Sequence, residues 1–213
     1  LACAIFREAL KINAGAFIFE IARSEMGYTD QKPLEYSTVL LAAALAEGYK
    51  GPVFIQGDHF QVNAKNYKKD PKAEVEGLKK LIKESIDAGF YNIDIDSSTV
   101  VDLSQTDLLG QQKLNSELCA ELTAYIRSIQ PKNVNISVGG EIGEVGTKNS
   151  TPEDLNAFMK LYLENLPKGV EGISKISVQT GTSHGGTVLA DGTIAKVNLD
   201  FNVLKSISEV CKK

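Results

Sequence analysis

His59 and His184 are the chain's two histidines, and each follows a short apolar run with a glycine close by. Two neutral imidazoles and a carboxylate are a donor set for Zn²⁺ that leaves a coordination position open to a substrate oxygen. The nearest carboxylates in pattern are Asp58, adjacent to His59 in Gly57-Asp58-His59, and Glu141 in the glycine-flanked run Gly139-Gly140-Glu141-Ile142-Gly143-Glu144. A lone histidine is more often a hydrogen-bonded structural group. Two at strand ends, with Asp58 and Glu141 in company, favour the metal. Asp96 and Ser24 also follow apolar runs. Asp94 is expected to face away from Asp96, toward helices or solvent. Lys65, Lys68 and Lys69 with Tyr67 could attract phosphate, but read better as a solvated loop.

These groups need strands to present them and helices to space the strands. Ala16–Ala22, Val53–Gln56, Phe90–Ser98, Val134–Val138 and Ile173–Val178 are short and nearly all apolar, as in a parallel sheet buried on both faces. Between them lie helical patterns. Leu1–Lys11 is the end of a helix; Tyr28–Lys32 is polar. Pro33 opens a helix that stops before Gly48, and Pro71 opens one whose Val75, Leu78, Ile82 and Ile86 recur at helical spacing before Gly89. Leu114, Leu118, Leu122, Tyr125 and Ile129 form an amphipathic stripe closed by Pro131. Thr151-Pro152 with Asp154 is a capped start, and Asp200 caps a last helix. Strand and helix alternate throughout, so the class is α/β with right-handed crossovers. Both an open doubly wound sheet and a (β/α)₈ TIM barrel fit that rhythm. Chemistry-bearing residues at the ends of five strands favour the barrel, whose strand ends all feed one site.

Composition narrows the function classes. With 213 residues, 43% hydrophobic and 23% charged, the chain has room for one large globular domain. A net charge of −4 argues against nucleic acid. No apolar run approaches the roughly 18 to 20 residues of a membrane span, and Arg7, Glu8 and Lys11 interrupt any secretory signal. Cys3, Cys119 and Cys211 lack metal-type spacing and read as reduced, buried thiols of a cytoplasmic protein.

Gly57-Asp58-His59, Ile95-Asp96-Ser97-Ser98, Gly140-Glu141-Ile142-Gly143 and Gly181-Thr182-Ser183-His184-Gly185, in this order, resemble the class II fructose-bisphosphate aldolase family. Leu199-Asp200-Phe201 resembles it too, so the likeness runs from about Ala16 to the end. The resemblance implies a zinc-dependent (β/α)₈ lyase of glycolysis and gluconeogenesis, cleaving a ketose 1,6-bisphosphate, foremost fructose 1,6-bisphosphate, to glycerone phosphate and glyceraldehyde 3-phosphate. It makes His59, Glu141 and His184 metal ligands, Asp58 the acid/base at the C4 hydroxyl, and Glu144 a stand-in for the family's loop proton carrier. Asp96 supports the site, Gly185 lies beside a phosphate and a monovalent cation, and Ser24 contacts substrate. The family supplies a further zinc histidine from a strand beyond the last helix seen here. The 213 residues are therefore expected to be one barrel domain with strands missing at both ends. A homo-oligomer, dimer or larger, is implied. Tagatose-bisphosphate aldolase and a noncatalytic barrel subunit are the rival readings.

Overall fold

Local signals in the sequence set most of the boundaries in the computed structural model, which describes residues 1–143, 148–181, 188–194, 196 and 199–211. Helix α1 (Ala2–Lys11) precedes strand β1 (Ile18–Ala22), which passes directly into helix α2 (Arg23–Thr29). The Ala22 backbone N–H donates to the Glu25 carboxylate at 2.7 Å, which starts that helix, an element the sequence reading does not assign. Helix α3 (Pro33–Ala46) begins on its proline and leads to strand β2 (Phe54–Gln61). Asn63 caps the short helix α4 (Ala64–Lys69) by accepting from the N–H groups of Lys65 and Asn66, so the lysine-rich segment is helical and not a loop. Asp70 caps helix α5 (Pro71–Asp87) in the same manner. Strand β3 (Asn92–Asp96), a 3₁₀ turn (Ser98–Val100) and helix α6 (Leu108–Ile129), capped by Asp107, follow. Strand β4 (Ser137–Glu141), helix α7 (Pro152–Asn165), strand β5 (Lys175–Ser177) and helix α8 (Phe201–Cys211) complete the order. Thr151 and Asp154 exchange the two bonds of a capping box, as their spacing predicts. Asp200 accepts from the N–H of Asn202 at 3.0 Å at the start of α8.

The five strands form one parallel sheet in sequence order, β1-β2-β3-β4-β5. Strand order does not reverse among them, so they make no crevice of the doubly wound kind. The arrangement is α/β and TIM-barrel-like. Ile55, Ile93, Ile95 and Val138 point from the sheet to the helices, where they meet Leu78, Ile82, Leu122, Ile126 and Phe158 in one buried core. The opposite face carries Gln56, Asp94 and Lys175.

Asp94 thereby departs from the sequence expectation. Residues two apart on a strand share a face, and Asp94 lies on the face of Asp96, ion-paired to Lys175 at 2.8 Å. Of the thiols, only Cys119 is buried; Cys3 is half-buried and Cys211 exposed, all three free. Among the described residues no helix is long and apolar enough to cross a membrane.

Candidate functional site

Strand β2 is longer than its apolar run predicts, and its extension is irregular. Gly57 pairs with Ile93 and Phe60 with Ile95, so Asp58 and His59 occupy a stretch where β2 spends three steps to its neighbour's two. Such a bulge re-aims side chains at a strand end. Gly57 makes it possible, because a Cβ there would collide with the ring of Phe60, which is fully buried. His59 takes up the turn with φ of 40°, a left-handed conformation that a non-glycine residue adopts only when its surroundings hold it.

The ring of His59 is held by two carboxylates from the next two strands. Its Nδ1 lies 3.2 Å from Asp96 Oδ2 and 3.2 Å from Glu141 Oε2. Asp58 Oδ2 stands 3.7 Å from Nε2. Asp96 is 3% exposed and fully engaged: Gln61 Nε2 donates to Oδ2 at 3.1 Å, and the Ser98 hydroxyl and N–H donate to Oδ1 at 2.7 and 3.2 Å. Glu141 ends β4, where its carbonyl accepts from Asn115 Nδ2 at 2.9 Å. Asn115 in turn accepts from the Ser97 hydroxyl at 2.7 Å, so one buried amide of α6 ties the ends of β3 and β4 together. Past Glu141, the Ser150 hydroxyl donates to the Ile142 carbonyl at 3.1 Å.

Electrostatics follow from this crowding. Hydrogen bonds to Asp96 and Glu141 raise the His59 imidazolium to about 11, against a desolvation cost. Burial alone would push the Asp96 carboxyl up, but the donors His59, Ser98 and Gln61 outweigh it and hold the group below the usual range. Burial prevails at Glu141, whose carboxyl is raised, with Asp96 and Asp58 adding to the effect. A buried carboxylate and a half-buried one share one proton donor, and a third carboxylate stands beside them.

That donor set suits a divalent cation. His59, Asp96 and Glu141 each offer a ligand atom, all within 4.8 Å of one another. Bringing His59 and Glu141 together is what the motif reading expects; the direct contact of Asp96 with the same ring nitrogen is new. His184, Gly185 and Glu144 lie outside the described residues. Ser24 is exposed in the first turn of α2, at the carboxyl end of β1, and among the described residues makes no hydrogen bond to the group. The sequence reading gives no site role to Gln56, Gln61, Asn115 or Lys175. Gln56 and Gln61 flank Asp58-His59 and could have been suspected from that; the other two carry no local signal.

Comparison with known proteins agrees with the fold and the motifs. No curated protein sequence matches. A crystal structure of a probable tagatose 6 phosphate kinase from Sinorhizobium meliloti 1021 superposes with a TM-score of 0.69 at 14% identity, covering 100% of this chain and 54% of that one, a likeness of fold. The chain thus spans about half the length of that structure. The profile for fructose-bisphosphate aldolase class-II matches residues 3–213, and the chain belongs to that family.

Proposed function

We propose that this protein is a metal-dependent lyase catalysing aldol cleavage and condensation of a ketose 1,6-bisphosphate, with fructose 1,6-bisphosphate the substrate. The observation that carries the reading is the convergence of Asp96 and Glu141 on His59 Nδ1, with Asp58 next in sequence and at the mouth of the same strands. His59 and Glu141 are ligands in this reading, with His184 joining them and Asp96 supporting the group from the neighbouring strand. A divalent ion bound there, Zn²⁺ foremost, polarises the substrate carbonyl and stabilises negative charge on it, so no Schiff base is required.

The chain's own residues supply the rest. The Asp58 carboxylate takes the proton of the C4 hydroxyl as the C3–C4 bond breaks and returns it in condensation. Asp58 is adjacent to a ligand without converging on the same nitrogen, which frees it for proton transfer. Glu144 is the proposed proton carrier at C3. Gly185 and Ser24 contact substrate, with a monovalent cation beside the Gly185 phosphate. Residues 1–213 belong in this reading to one (β/α)₈ barrel domain, which the sequential parallel sheet supports, of a cytoplasmic homo-oligomer. Exposed Leu34, Leu41 and Leu45 on α3 support the oligomer.

The test is cleavage of fructose 1,6-bisphosphate and of its C4 epimer tagatose 1,6-bisphosphate, coupled to a triose-phosphate dehydrogenase, with and without chelator. Chelator-sensitive cleavage of the fructose sugar is expected. Preference for tagatose would reassign the substrate, and no activity with either would leave a noncatalytic barrel.

A further inference from the structure

Beneath Asp58, on the same face of the sheet, lies a chain of polar groups that the metal group does not use. Gln56 precedes Asp58 by two residues and shares its face; its Nε2 donates to Asp58 Oδ1 at 3.2 Å. Its Oε1 accepts from Lys175 Nζ of β5 at 2.7 Å. Lys175 also stands 2.8 Å from Asp94 Oδ1 of β3. Asp94, Gly139 and Lys175 are register partners across β3, β4 and β5. Adjacent strands are about 4.8 Å apart, so the Asp94–Lys175 pair has to cross β4. Gly139 allows it: a Cβ at this position would collide with the Asp94 carboxylate and lie 3.1 Å from the Lys175 side chain.

The chain has only one consistent direction. An ammonium can only donate and a carboxylate can only accept. Lys175 therefore requires the Gln56 oxygen to face it, which leaves the Gln56 amide N–H₂ facing Asp58. A flipped amide would set an oxygen against the Asp58 carboxylate and an N–H₂ against the ammonium, two repulsive contacts in place of two bonds. Gln56 is buried, so water cannot easily compensate.

We infer that Lys175, anchored by Asp94, locks the Gln56 amide so that it fixes the Asp58 carboxylate in the orientation needed for proton transfer. Lys175 and Gln56 are positioning residues for that group, and the inference rests on the aldolase reading of Asp58. Among the described residues neither is hydrogen-bonded to His59, Asp96 or Glu141, so their removal should leave metal binding intact.

The experiment uses Lys175→Met, Gln56→Met, the double variant and Lys175→Arg in the full chain, measuring kcat, KM, bound metal and thermal unfolding. Gln56→Met keeps the Lys175–Asp94 pair and so provides a folded variant even if Lys175→Met, which strands a half-buried carboxylate, is unstable. Each single variant is expected to lose about 10- to 100-fold in kcat with KM within about twofold, as for a small misplacement of a reacting group. Metal content should be unchanged. The double variant should be no worse than the worse single, because both break one chain, and Lys175→Arg should recover most of the rate. Wild-type kcat in Gln56→Met, additive losses in the double variant, or metal loss parallel to the loss of rate would each overturn the inference. An inactive wild type would overturn the aldolase reading and the inference with it; an active wild type with unaffected variants overturns the inference alone.

Discussion

His59 Nδ1 and Asp96 Oδ2 meet at 3.2 Å across 37 residues of sequence, in a contact that the bulge in β2 creates. Without the extra step between Gly57 and Phe60, the residue at position 59 would point to the helix layer, where Ile93 and Ile95 lie. Gln61 would turn away with it, and Asp96 would keep only its bonds from Ser98. The pairing explains how one strand can present two consecutive residues, Asp58 and His59, to one mouth.

The separate roles proposed for those two residues predict separate phenotypes. His59→Ala should lose most of the bound divalent metal, measured by elemental analysis after gel filtration. Asp58→Ala should retain metal and lose about 10²- to 10⁴-fold in kcat, the usual range for a missing acid/base. Equal metal loss in both variants would contradict the division.

In the proposed site, proton and metal would compete for His59. The imidazolium lies at about 11, far above its ordinary 6.5, because Asp96 and Glu141 hydrogen-bond it. In metal-free protein that proton stabilises the fold fully below pH 6.5, and the contribution is lost as pH rises toward 11. Chelated protein should therefore melt at a lower temperature at pH 9 than at pH 7, by differential scanning calorimetry. Metal binding must displace the proton, so affinity should rise about tenfold per pH unit between pH 6 and 8 for one proton released. A flat affinity profile would remove His59 from the ligand set.

Gly139 faces a different demand. Gly139→Ala places a methyl group against the Asp94 carboxylate and should destabilise by about 1–3 kcal/mol in urea unfolding, the range for overpacking. In an Asp94→Ala background the same change should cost far less, giving a coupling energy in the double-mutant cycle. Additive costs would show that the collision is relieved elsewhere.

Asn115 is fully buried between Ser97, Gln112 and the Glu141 carbonyl. Asn115→Ala leaves the Ser97 hydroxyl only its bond to the Asn115 backbone and the Glu141 carbonyl without its side-chain donor. A loss of about 1–3 kcal/mol is expected, with weaker metal binding because Glu141 is less firmly placed. Unaltered metal affinity in a destabilised variant would confine Asn115 to the fold.

Much of this molecule is written in local sequence. Pro33, Pro71 and Thr151-Pro152 start helices where they stand, and the apolar strands pair in sequence order, because capping and hydrophobic periodicity act over a few residues. The motifs also single out Asp58, His59 and Glu141; Glu141 ends β4 as expected, whereas Asp58 and His59 lie within the bulged part of β2. Helix α2 carries little local signal, because its start depends on one bond from Ala22 to Glu25 and it buries only Met26. Asp96 became a contact of His59, and Lys175 a neighbour of Gln56 from 119 residues away, only when the sheet formed. No local periodicity encodes which side chains three different strands bring together. Register, the bulge at Asp58-His59 and the missing side chain of Gly139 decide it, and these act only through the packed tertiary structure.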